Sequence, residues 1–155
     1  YDYIEMWIGK RAYKLNGEDK VMDAAPFIDP VASRTVVPLR FILEGLSFQV
    51  KWDGSARTIT VKGSVSRGNR TVIINMPKVK PSKRGRYTVY MGNPKVEVKD
   101  RKGTYVVDMR NYKGQDMGIP FIYENRAYVP VRFISEIFEG KVGWDGAERK
   151  VTIER

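Results

Sequence analysis

Cysteine and histidine are both absent from the 155 residues. Without imidazole or thiolate, zinc and copper sites lose their usual ligands. Disulfides, thiol redox chemistry and His- or Cys-dependent nucleophilic triads go with them. Any enzyme built on this chain would have to work with carboxylates, Lys, Tyr or Ser. No Walker loop, dinucleotide fingerprint or EF-hand spacing is present, and no cofactor is expected. No run approaches the ~20 apolar residues of a membrane-crossing helix, so no membrane span is expected. The sequence opens at Tyr1 without a leader pattern, as expected for a mature or excised fragment, and this leaves the compartment open.

Acidic residues are scarce in one place. From Gly54 to Val96 there is no Asp or Glu, while Arg57, Lys62, Arg67, Arg70, Lys78, Lys80, Lys83, Arg84, Arg86 and Lys95 supply ten positive charges. That window carries the whole net charge of +10, so the chain reads as a neutral body with one basic segment. Such a segment draws anionic polymers with a strength that salt weakens. The competing reading is a set of solvated lysines that keep sheet edges from aggregating.

An internal repeat organises the rest. A shift of 92 positions aligns Arg34–Lys62 with Arg126–Glu154 without a gap, and 13 of 29 positions are identical. These include Arg34/Arg126, Pro38/Pro130, Arg40/Arg132, Phe41/Phe133, Glu44/Glu136 and Trp52-Asp53-Gly54/Trp144-Asp145-Gly146. Upstream, Pro26-Phe27-Ile28 matches Pro120-Phe121-Ile122, and Ile8-Gly9 matches Met91-Gly92 more weakly. The chain is a duplicated unit.

Each copy reads as a β-prone run, a short helix with proline in its first turn, then a hairpin closed by Asp-Gly. Further strands are expected at Tyr3–Ile8, Ala12–Leu15, Thr71–Met76, Tyr87–Met91, Lys95–Val98 and Tyr105–Met109. The expected class is α+β: mostly antiparallel sheets with one short helix per repeat, in two related strand-helix-hairpin units. The division is residues 1–63 for the first unit, 64–86 for a basic linker with an extra strand, and 87–155 for the second. At about 60 to 70 residues each, the units are near the size where an isolated core is marginal, so packing as one body is expected.

The pattern Arg-Thr-Val-Val-Pro-Leu-Arg-Phe-Ile-x-Glu, followed by Val-x-Trp-Asp and Thr-Ile-Thr-Val, resembles the copper amine oxidase N-terminal domain family, the "stalk" module of many secreted Gram-positive proteins. The resemblance covers nearly the whole chain in two copies. It implies a non-catalytic module, extracellular or at the cell surface, that anchors, spaces or positions a larger protein. The oxidase chemistry belongs to a separate domain with three His ligands and a Tyr-derived quinone, and this chain has no His to hold that copper. Asn111-Tyr112 is followed by Lys113, not by the acidic residue of the quinone-forming sequence.

Two sets of side chains are candidates for binding. Arg67, Arg70, Lys78, Lys80, Lys83, Arg84 and Arg86 form the anionic-polymer candidate, with Lys78 and Lys80 on one face if the strand runs through them. The family context favours anionic cell-wall polymer or acidic polysaccharide over nucleic acid, alongside the other domains of the parent protein. The alternative is a carbohydrate-binding module in which Trp7, Tyr87, Tyr90 and Tyr123 stack on sugar rings. Trp52 and Trp144 could also stack, but large aromatics at the end of a β run more often fill space between sheet and helix, and burial is the preferred reading. Arg40–Glu44 and Arg132–Glu136 read as i,i+4 ion pairs and not as an anion site. Asp53, Asp145 and Glu44 carry little weight as a glycosidase pair, because Asp is favoured in turns for local reasons.

Overall fold

The computed structural model describes residues 1–77 and 79–155. Its strands are β1 (Tyr3–Trp7), β2 (Ala12–Leu15), β3 (Glu18–Val21), β4 (Phe27–Asp29), β5 (Arg34–Pro38), β6 (Gln49–Asp53), β7 (Thr58–Val65) and β8 (Gly68–Asn75), then β9 (Ser82–Arg84), β10 (Tyr87–Met91), β11 (Lys95–Asp100), β12 (Gly103–Asp108), β13 (Phe121–Tyr123), β14 (Arg126–Pro130), β15 (Lys141–Asp145) and β16 (Lys150–Glu154). Two short helices, α1 (Leu39–Glu44) and α2 (Val131–Ile137), follow β5 and β14. The named strands pair only antiparallel, giving a mostly antiparallel α+β protein.

The strands form three sheets. The central one runs β4-β5-β14-β13-β10-β9, and its middle pairing joins the two copies of the repeated motif, Val37 opposite Val129. The flanking sheets run β15-β16-β1-β2-β3 and β6-β7-β8-β11-β12, so each combines a hairpin from one copy with strands from the other. β8 holds in its sheet the slot that β1 holds in the other. Matching backbone bonds mark this: Met76 N–H donates to Arg57 C=O (2.8 Å) as Ile8 N–H donates to Arg149 C=O (3.0 Å).

Side-chain alternation sends Val37 and Val129 into the main core, and Val36 and Tyr128 into a smaller cluster on the opposite face of the central sheet. The main core joins Phe41 and Ile42 of α1 to Phe133 and Ile134 of α2, with Ile59, Ile74, Val151 and Ile153 from the flanking sheets. Pro38 and Pro130 sit one residue before their helices in extended conformation (φ −65°, ψ 146° and φ −62°, ψ 116°), not inside the first turn as expected. α1 stops at Gly45, where a Cβ would fall 2.4 Å from the Phe41 ring. Ile137 takes that place in the second copy, and α2 runs one residue longer.

Four strands were not expected: β3, β4, β9 and β13. β3 is exposed throughout and has no alternation to betray it; the other three are three-residue segments held by their neighbours. The strand expected through Thr71–Met76 is β8, a middle strand of its sheet that ends at Asn75. Lys80 therefore lies outside any strand, and Lys78 lies outside the described residues.

Candidate functional site

The acid-free window is continuous in sequence but divided in space. At one end, the β7–β8 turn presents Arg67 beside the β11–β12 turn, which presents Arg101 and Lys102. The two turns lie side by side because β8 and β11 are paired, Val98 opposite Val72. They bound a cleft of about 510 Å³ that also takes in Arg70, Asp100 and Glu139. Four cations thus face two carboxylates, and both carboxylates are already engaged. Asp100 accepts from Tyr105 Oη (2.8 Å), Lys102 N–H (2.9 Å) and Arg70 Nε (3.0 Å). Glu139 accepts from the Ser66 backbone N–H and, at 2.9 Å, from Ser66 Oγ. Among the described residues, no ion pair occupies the side chains of Arg67, Arg101 or Lys102.

These hydrogen bonds hold both carboxyls below their ordinary range. The Tyr105 hydroxyl is the main cause for Asp100, ahead of the Lys102 N–H and Arg70. The Ser66 N–H, then its hydroxyl, acts on Glu139. A depressed folded-state value means that the unfolded chain binds more protons as pH falls, so this stabilisation is complete at neutral pH and is lost through the acid range below about pH 4. The melting temperature should therefore hold level from neutral pH to about 5 and drop below about 4. Tyr105→Phe should be less stable than wild type at pH 7, with the gap narrowing as the pH falls below about 4. Parallel curves over the whole range would contradict this account.

The rest of the basic segment is elsewhere. Lys80 and Lys83 are exposed near β9, the outer strand of the central sheet, where Lys83 Nζ donates to Thr88 Oγ1 at 2.7 Å. Arg86 lies over the Tyr87 ring (5.1 Å) and donates to its hydroxyl (3.0 Å). Arg84 turns inward to Asp29, Nη2 to Oδ2 at 2.9 Å, and Asp29 is fully buried. Arg70 is likewise paired, with Asp100. Among the described residues, Arg70 and Arg84 are thus neutralised by carboxylates from outside the window.

The four candidate aromatics do not form a row. Tyr87 and Tyr123 meet edge-to-face (5.1 Å) on the small-core face of the central sheet, each also against Phe27. Tyr90 points to the other face of the same strand, and Trp7 belongs to a flanking sheet. The expectation for Trp52 and Trp144 is overturned: they are 45% and 53% exposed. Each does sit on the core side of its hairpin, opposite buried Ile59 and Val151. However, β6 and β15 are edge strands, and the core gives out before their last residues. Periodicity gives the face of a strand but not how far its cover extends.

The i,i+4 pairs form as expected, Arg40–Glu44 at 3.5 Å and Arg132–Glu136 at 2.7 Å, both partly or largely exposed. Among the described residues, no three acidic side chains converge into a metal cage, and no helix is long and apolar enough to cross a membrane. In the comparison with known families, the family described as "Copper amine oxidase N-terminal domain" matches residues 1–61 and again residues 65–153. No curated protein and no solved structure matches the chain.

Proposed function

The chain belongs to the copper amine oxidase N-terminal domain family, and from that membership we propose that it is a non-enzymatic extracellular module that anchors, spaces or positions a larger protein at the cell surface. The family is a non-catalytic module of copper amine oxidases. The match from residue 65 onward, together with the slot held by β8, supports reading residues 64–86 as part of the second unit instead of a free linker. The two units then exchange hairpins and act as one rigid spacer.

The proposed ligand is an anionic wall polymer, held at the paired turns. One observation carries this: Arg67, Arg101 and Lys102, from two hairpins far apart in sequence, converge on one cleft while its carboxylates are bound internally. Such a cluster attracts polyanions with little demand on their shape, which suits a repetitive polymer. The test is retention of the protein on bacterial sacculi, with and without teichoic acid, across a salt series. Retention that requires the polymer and fades with salt is expected. Retention unaffected by removing teichoic acid would refute a polymer anchor, and no retention at any salt would leave only the spacer.

A further inference from the structure

The two copies of the repeat place equivalent residues around Trp52 and Trp144, and the residues facing the two indoles differ. Trp144 lines a cleft of about 440 Å³ between its flanking sheet and the β4–β5 hairpin, a volume within the range of about 300–1,000 Å³ usual for small-ligand sites. Val131, Val142 and Ile28 are its apolar lining, and Arg34 and Arg132 also line it. At the duplicated position an arginine already sits against the indole: the Arg57 guanidinium lies 5.6 Å from the Trp52 ring centre and is held there by the Met76 carbonyl (2.9 Å). Among the described residues, no cation covers the Trp144 ring.

The arginines differ as well. Arg126 is paired with Asp23 at 3.2 Å. Its duplicate Arg34 is fixed by two neutral acceptors, the Asp116 carbonyl (2.9 Å) and Gln115 Oε1 (3.3 Å), so it is oriented without being neutralised. Thr35 likewise brings a hydroxyl where the other copy has Ala127. An indole with no cation over it, an oriented and unneutralised guanidinium and a neighbouring hydroxyl form a combination that the other copy lacks.

We propose that the Trp144 cleft binds a carboxylated sugar, a hexuronate unit of an acidic glycan, with the pyranose face on the indole and the carboxylate on Arg34. The flat apolar ring face matches a half-exposed indole. A planar carboxylate matches the fork of an arginine, which holds it through two parallel hydrogen bonds. Arg132, tied through Nε to Glu136 at 2.7 Å, adds a second donor edge but less net charge. The site uses none of the residues at the paired turns, so its fate is separable from that of the polymer anchor.

The experiment is a titration of the intact protein with trigalacturonic acid and with its methyl ester, following the indole N–H resonances of Trp7, Trp52 and Trp144 by NMR. The expected result is a saturable shift of Trp144 alone, with affinity for the ester lower by about 10-fold or more. Trp144→Ala should abolish binding and Trp52→Ala leave it unchanged. Arg34→Gln should bring the acid down to the affinity of the ester. The charge-removing variant of the turns, Arg67→Gln/Arg101→Gln/Lys102→Gln, should bind as wild type does. The proposal is overturned if Trp144 does not shift at roughly 10 mM saccharide, if Trp52 shifts equally, or if a Trp144→Ala protein with wild-type melting temperature still binds.

Discussion

Replacing Arg84 by alanine should destabilise the protein by about 3–5 kcal/mol, the usual result of stranding a buried charge. Arg84 Nε reaches both oxygens of Asp29 at 3.0 Å and Nη2 reaches Oδ2 at 2.9 Å, and the carboxylate has no exposed surface. Asp29 also accepts the Val31 N–H at 2.9 Å, which closes the turn between β4 and β5. Without the guanidinium this carboxylate stays buried and unmatched, because the turn holds it in place. For a domain of this size the melting temperature should fall by roughly 6–20 °C. Asp29→Asn in the Arg84→Ala background should recover part of the loss, since a neutral amide needs no counterion. A loss below about 1 kcal/mol would mean that the pair is no more than a surface contact. The result also bears on function: weaker polymer binding by an Arg84 variant would report unfolding, not a lost ligand contact.

Phe138→Ala should cost a similar amount, about 3–5 kcal/mol in chemical denaturation. Phe138 follows α2 in the second copy, and its ring lies 4.4 Å from that of Phe48, which follows α1 in the first. Both are 1% exposed. β7 comes close to this pair because residue 63 is glycine, where a Cβ would stand 2.7 Å from Phe48 and 2.9 Å from Phe138. Truncating Phe138 opens a cavity where the two copies meet, and neither copy can refill it with its own side chains. Unfolding should remain a single transition, since each flanking sheet takes strands from both copies. Two resolved transitions, or a variant with wild-type stability, would show that the copies stand independently.

What is local and repeated in this fold is legible in the sequence. The helices after Pro38 and Pro130 and the Asp-Gly hairpins were readable because apolar spacing and turn residues agree over short stretches. β3 was not readable, because Glu18–Val21 is exposed along its length and is a strand only through its pairing with β2. The exchange of hairpins was hidden for a different reason. Pairings such as Tyr3 with Glu154 are set by tertiary packing, and no local pattern encodes them.

The candidate site followed the same division. Arg67 was identified from the charge window, but Arg101 and Lys102 lie outside it, next to Asp100, and only the pairing of β8 with β11 brings them beside Arg67. Charge counted along the chain grouped Arg84 with residues from which burial separates it. The duplicated tryptophans were readable as a pair; their exposure depends on where the core ends.

The most direct test of the account compares two variants of equal charge change for retention on teichoic-acid-bearing sacculi at low salt. One carries Arg67→Gln, Arg101→Gln and Lys102→Gln; the other carries Lys80→Gln, Lys83→Gln and Arg86→Gln near β9. If the paired turns are the anchor, the first loses most of its retention and the second keeps most of it, while both melt close to the wild-type temperature. Equal losses would show that net charge alone governs binding, and would contradict a localised site.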